Sequence, residues 1–271
     1  MSNQTDERCA VLIDTHCHID VDAFDGDREQ VLGRARAAGV GAIVVPAISA
    51  AGWSGLLALC DRHADLCPAL GLHPVAIDDH DEGDVARLER AIADHPLVAV
   101  GEIGLDAVTG AHAMPRQRAL FVRQLEVARA ASLPVLLHVR KCHDEVLAEL
   151  QRSGCCSGIA HAFNGSLEQA KRYIHLGFRL GFGGMLTFER STRLRRLARA
   201  LPLDAIVLET DAPDLTVASH RYQRNSPEYL PEVLAALADV RDEDPTEVAR
   251  RTTANARAVL GLPAIAGAVG A

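Results

Sequence analysis

Hydrophobic positions along the 271-residue chain recur in two alternating rhythms. Short β-branched and apolar runs, "AVLIDTH", "GAIVVPA", "LCPALGLH", "LVAVGEIG", "PVLLHVR", "SGIAHAF", "FRLGFGG" and "AIVLETD", are separated by longer stretches of helical period. In "QRALFVRQLEVARA", Leu120, Phe121, Gln124, Leu125 and Ala128 fall on one helical face. Ser166 and Gln169 have capping-box spacing, and Gly39 and Gly177 stand where a helix would stop. Two further helices are expected over "SPEYLPEVLAALADV" and "DPTEVARRTTANARAVLG". Eight strand–helix units in sequence predict an α/β fold, a TIM-type (β/α)8 barrel. A doubly wound open sheet is the competitor, but the chain has no glycine-rich dinucleotide loop. We expect one domain over residues 1–262 and a flexible C-terminal tail over 263–271.

A parallel barrel gathers its chemistry at the C-terminal ends of its strands. The ionisable residues follow that rule. His16 and His18 close the first run, His73 the third, and Glu102 lies in the fourth. His138 ends the fifth, His161 the sixth and Asp211 the eighth. In "VLIDTHCHID" the spacing of two puts Asp14, His16 and His18 on one face of a strand and Cys17 on the other. Four histidines and two carboxylates are a suitable donor set for two divalent ions, and a carboxylate can bridge such a pair. A pair of ions roughly 3.5–4 Å apart suits hydrolysis of phosphodiesters, amides or lactones.

Composition narrows the class. Net charge is −8, so a stable DNA-coating role, which calls for a basic surface, is disfavoured more than a catalytic one. Seven cysteines without a CxxC pair argue for free thiols and a reducing compartment. No apolar run approaches a membrane span, and "MSNQTDERCA" lacks the layout of a signal peptide, so a cytoplasmic location is expected.

The motifs "DTHCH", "GLHP", "GEIGLD", "LPVLLHVR", "HAFNGS" and "ALPLDAIVLETDAPDL", in that order, resemble the TatD-type metal-dependent deoxyribonucleases of the amidohydrolase-like barrels. The resemblance runs from about Cys9 to Leu260. It implies that His16, His18 and Asp211 bind a first metal, that Glu102 bridges, and that His138 and His161 bind a second. Asp211 and Glu102 are the implied catalytic carboxylates. His73 is implied to contact substrate phosphate, and Arg140, beside His138, is a candidate second phosphate ligand. The implied cofactors are two divalent ions (Mg, Mn or Zn). The implied substrate is DNA or another phosphoester, bound transiently by a monomer away from any membrane. The alternative is an amide, ester or lactone hydrolase of the same superfamily. Some of those bridge their metals with a carboxylated lysine on strand four, where this chain has Glu102.

Four features stay open at this level. Asp14 and Glu209 are candidates to support ligands. Arg221, Tyr222, Arg224 and Asn225 read equally as a grip on a nucleic-acid backbone or as a solvated loop. The basic run "RSTRLRRLARA" reads as a solvated face outside the barrel. Ala107 and Val108 stand where many relatives carry an aromatic residue, and Asn164 departs from the small residue common in that turn.

Overall fold

The computed structural model describes residues 11–109, 111–155 and 157–263. The tail expected over 263–271 lies outside them except for Pro263. Eight parallel strands run in sequence order: β1 (Leu12–Asp14), β2 (Val40–Pro46), β3 (Leu66–Leu70), β4 (Ala99–Asp106), β5 (Val135–Arg140), β6 (Gly158–Ala160), β7 (Phe178–Phe182) and β8 (Ile206–Leu208). The ring closes where Thr15 N donates to Leu208 O (3.0 Å) and Asp211 N to His16 O (2.8 Å). Outside it lie α1 (Arg28–Ala37), α2 (Trp53–Cys60), α3 (Asp84–Asp94), α4 (Met114–Ala130), α5 (His143–Ser153), α6 (Leu167–His175), α7 (Thr192–Ala200) and α8 (Leu230–Arg241). The chain is a (β/α)8 barrel, as its alternating rhythms predict.

Local chemistry sets several boundaries. Ser166 accepts from Gln169 N while the Gln169 side chain returns to Ser166 N, a reciprocal box that starts α6. Gly177 (φ +86°) follows α6 and Gly39 (φ +88°) follows α1, in the left-handed conformation a glycine tolerates. A last helix, α9 (Pro245–Leu260), begins with Asp244 accepting from Thr246 N and Pro245 in its first turn.

The core explains why the two ends of the barrel differ. Ile13, Val44, Ala69, Ala99, Leu136, Ile159 and Val207 form one interior apolar cluster, joined by Ala256, Val259 and Leu260 of α9. A larger cluster seals the strands against the surrounding helices. Polar side chains are therefore confined to the other, C-terminal end of the ring. No helix among the described residues is long and apolar enough to cross a membrane.

Three strands are shorter than their apolar runs. β1 ends at Asp14, so His16 and His18 are placed by a segment beyond the strand. That segment stays extended by bonding alternately to both neighbours, Thr15 to β8 and Cys17 N to Val44 O (3.0 Å). β6 and β8 likewise stop before His161 and Asp211.

Candidate metal centre

Glu102 organises the C-terminal end of the barrel. It is 1% exposed, and its two oxygens address different histidines. Oε2 lies 3.0 Å from His16 Nε2 and 3.6 Å from His18 Nε2. Oε1 lies 2.9 Å from His138 Nδ1 and 3.1 Å from His161 Nε2. Asp211 joins the first group, its Oδ1 at 3.7 Å from His16 Nε2 and 3.8 Å from His18 Nε2. The His16 and His161 rings stack at 3.8 Å between centroids, which links the two groups into one centre. All six residues expected from the sequence thus converge, from both ends of the chain.

The far side of each ring shows whether a metal fits. His18 Nδ1 is 3.1 Å from Pro46 O, a carbonyl that can only accept, so that nitrogen carries the proton and Nε2 keeps its lone pair. His138 Nε2 faces Asp106 Oδ2 at 3.1 Å, leaving Nδ1 free towards Glu102. His161 Nδ1 lies 3.5 Å from Glu209 Oε1 without a hydrogen bond, and His16 Nδ1 is buried without a partner among the described residues. An acceptor behind the imidazole is what fixes a ligand's tautomer and raises its basicity. Imidazole nitrogens and carboxylate oxygens are donors for borderline divalent ions. The residues fit two such ions: His16, His18 and Asp211 lie close enough to share one, and Glu102 clusters both with His16 and His161 and with His73 and His138.

Electrostatics agree with that assignment. Burial works against charge on Glu102, but His73, His161 and His16 outweigh it and hold the carboxyl well below the usual range. Burial, helped by neighbouring His161, pushes His16 down to about 3, so its ring is neutral. Burial raises Asp211 to about 6 against the pull of His161 and His18. Asp211 also has a left-handed backbone (φ +60°), a conformation Asp tolerates better than most residues, fixed by its bond to His16 O.

His73 sits among the donors but in a different state. Its Nδ1 accepts from Val75 N at 3.0 Å, so in the neutral ring Nε2 bears the proton. That N–H points at Glu102 Oε1, 3.2 Å away. Burial lowers its pKa and keeps it neutral. Arg140 is half exposed at the rim, 3.8 Å from Asp106 Oδ2, and donates to Thr109 Oγ1.

Other sequence features now separate. Asp14 does not reach a histidine ring. It accepts from His16 N (3.2 Å) and from Thr210 N and Oγ1, tying β1 to the segment that carries Asp211. Burial pushes it up to about 7. Glu209 is fully buried behind His161, which decides between its two readings. Cys17 is buried in the apolar cluster, and Cys17, Cys60, Cys67 and Cys142 are free thiols. Arg224 pairs with Asp27 and stacks on Phe24, and Asn225 bonds Thr210 O and Asp214 O, so both serve the fold. Arg221 and Tyr222 stay outward, with Tyr222 87% exposed. Asp106 was not singled out by sequence reasoning. The signal existed: in β4 the period of two puts Glu102, Gly104 and Asp106 on one face.

The comparisons agree with the geometry. The profile of the family "TatD related DNase" matches residues 13–261. The uncharacterized metal-dependent hydrolase YjjV of Escherichia coli K12 is 40% identical over 255 residues, covering 93% of this chain and 98% of that one. The crystal structure of an E. coli K12 YjjV, a TatD homolog, superposes with a TM-score of 0.90 over 94% of this chain and 100% of that one, at 40% identity. The 3'-5' ssDNA/RNA exonuclease TatD of Erwinia billingiae is 32% identical over 89% of this chain and 95% of its own. The chain belongs to the TatD related DNase family of metal-dependent hydrolases.

Proposed function

We propose that the chain hydrolyses phosphodiester bonds of DNA, acting at strand ends, with two divalent ions held at Glu102. The observation that carries this reading is the division of Glu102, one oxygen to His16 and His18, the other to His138 and His161. In the proposal His16, His18 and Asp211 complete the first ion's ligands, and His138 and His161 the second's. Such a pair of ions polarises the phosphoryl oxygens and lowers the pKa of bound water.

The protein's own groups do the rest. Asp211, beside the first ion's ligands, would take the proton of the attacking water. His73 offers its Nε2–H to a phosphate oxygen, because Val75 N occupies Nδ1. Arg140 adds a half-exposed guanidinium at the rim, where it can pair with a phosphate bidentately. Asp106 holds the His138 ring. All of these groups come from one chain, which supports a monomer, and the free thiols support the cytoplasm. The exonuclease activity named for the Erwinia relative supports the choice of substrate.

The test follows cleavage of end-labelled single-stranded DNA, double-stranded DNA and RNA after metal stripping and readdition of magnesium, manganese or zinc. Metal-dependent shortening from one end, lost in Glu102→Ala and Asp211→Ala, is the expected result. No cleavage by a folded, metal-loaded wild type would sink DNA as the substrate and direct the search to esters, amides and lactones.

A further inference from the structure

Beside the metal centre the structure holds a cavity of about 440 Å³, bounded by the turns after β6, β7 and β8 and by the start of α7. Its inner end is formed by Glu209 and Asp211, so it opens directly onto the reacting groups. The walls are apolar: Phe163, Phe182 and Leu194 line it, and Met185 and Leu215 add apolar surface 37% and 40% exposed. At the inner end Glu209 Oε2 is buried without a hydrogen-bond partner, while Oε1 is occupied by Ala162 N. Gly181 makes room for that carboxylate, since a Cβ there would lie 2.1 Å from Oε2.

The basic run at the start of α7 belongs partly to this cavity. Arg195 leaves it to pair with Asp239. Arg190 and Arg193 border the cavity and are exposed. Arg190 lies over the Phe188 ring, and Arg193 donates to Asn164 O. Neither has a carboxylate partner among the described residues. The sequence expectation of a solvated face outside the barrel therefore holds for only part of this run.

We propose that this cavity seats the terminal nucleoside of the strand being cut, base against the apolar walls. This deepens the phosphodiesterase reading and rests on it. An apolar pocket with few placed polar groups selects a ring-bearing ligand, and its volume lies within the range of small-molecule sites. The two unpaired guanidinium groups suit an occupant attached to an anionic chain. A pocket of this size holds one nucleoside and no run of bases, so only a chain end can enter it while its phosphodiester reaches Glu102 and Asp211.

The experiment is a calorimetric titration of the manganese-loaded protein with thymidine 5′-monophosphate and with deoxyribose 5-phosphate, which lacks the base. The base is expected to tighten binding at least tenfold in wild type. The ratio is expected to fall below threefold in Met185→Ala/Leu215→Ala, whose side chains are partly exposed, and in Leu194→Trp, which fills the cavity. Equal affinities in wild type, or an unchanged ratio in both variants, would overturn the pocket. Hydrolysis of bis(p-nitrophenyl) phosphate is read alongside. Hydrolysis without a base-dependent ratio overturns the pocket alone. A base-dependent ratio without hydrolysis of any phosphodiester supports the pocket and sinks the hydrolytic reading.

Discussion

Glu102 and Asp106 do different work two residues apart on β4, and substitution should separate them. Glu102 supplies an oxygen to each half of the centre, so Glu102→Gln is expected to abolish binding of at least one ion. Asp106 touches no other member of the centre than His138. Asp106→Asn is expected to weaken metal affinity or activity about 10- to 100-fold while the chain stays folded, the usual cost of losing a group that orients a ligand. Metal titration of both variants checks this, and an Asp106→Asn protein with wild-type affinity would contradict it. Five of the six proposed ligands could be read in the sequence because they stand at or just past the end of an apolar run, where a barrel puts its chemistry, whereas Glu102 lies inside the β4 run. The supports of these ligands were less legible. Pro46 O is a backbone atom of another strand, and Glu209 became decidable only once β8 was placed beside His161. Asp14, a candidate to support a ligand, does so through the backbone N–H of His16 and through Thr210.

At the scale of elements, β4 is constrained most tightly. Gly104 has φ +148°, and a Cβ there would lie 2.0 Å from His138 O, a backbone atom of the neighbouring strand. Gly104→Ala is therefore expected to cost at least about 2 kcal/mol, because the clash cannot be relieved by a side-chain rotation. Asp244, which caps α9, gives a milder case: Asp244→Ala is expected to cost about 1 kcal/mol. Urea unfolding measures both, and equal costs would show that β4 tolerates the extra carbon. Strand existence was readable throughout, whereas strand ends were not. β1, β6 and β8 stop one to three residues before the first functional group in each run. Those residues leave the ladder to bond sideways, as Asp211 N does to His16 O, and such long-range bonds have no local sequence signal. The split of the basic run between the Asp239 pair and the cavity is hidden for the same reason.

Considered as a whole, the molecule concentrates its stress in the metal-free centre. Asp14 and Asp211 have carboxyls raised from 3.8 to about 7 and about 6 by burial. A carboxyl raised in the folded state stabilises it most below the unfolded pKa, and that contribution is lost as pH climbs through the folded value. Burial opposes protonation of His161, but Glu102 and Asp211 outweigh it and raise its pKa too, so its contribution also declines with rising pH. Asp14 and Asp211 therefore lose their contributions between about pH 4 and 7, while His16, lowered to about 3, works the other way over much of that range. Metal binding displaces protons and strengthens over the same range. The gap in Tm between loaded and stripped protein is expected to widen from pH 5 to pH 7. With free metal at a hundredfold above Kd, the linkage is about 2.7 kcal/mol per site. For a chain of this size that corresponds to a Tm difference of roughly 5–10 °C. Thermal melts at pH 5, 6 and 7 decide it, and a gap that narrows with pH would contradict the assignment.

The most direct measurement counts the ions and asks whether they share a ligand. Manganese is added to stripped wild type and to Glu102→Gln, bound metal is counted by elemental analysis, and the paramagnetic resonance spectrum is recorded. Two equivalents with an exchange-coupled spectrum in wild type, and loss of the coupling in Glu102→Gln, are what a centre divided across the two oxygens of Glu102 requires. One equivalent in wild type, or a coupled pair that survives Glu102→Gln, would contradict it.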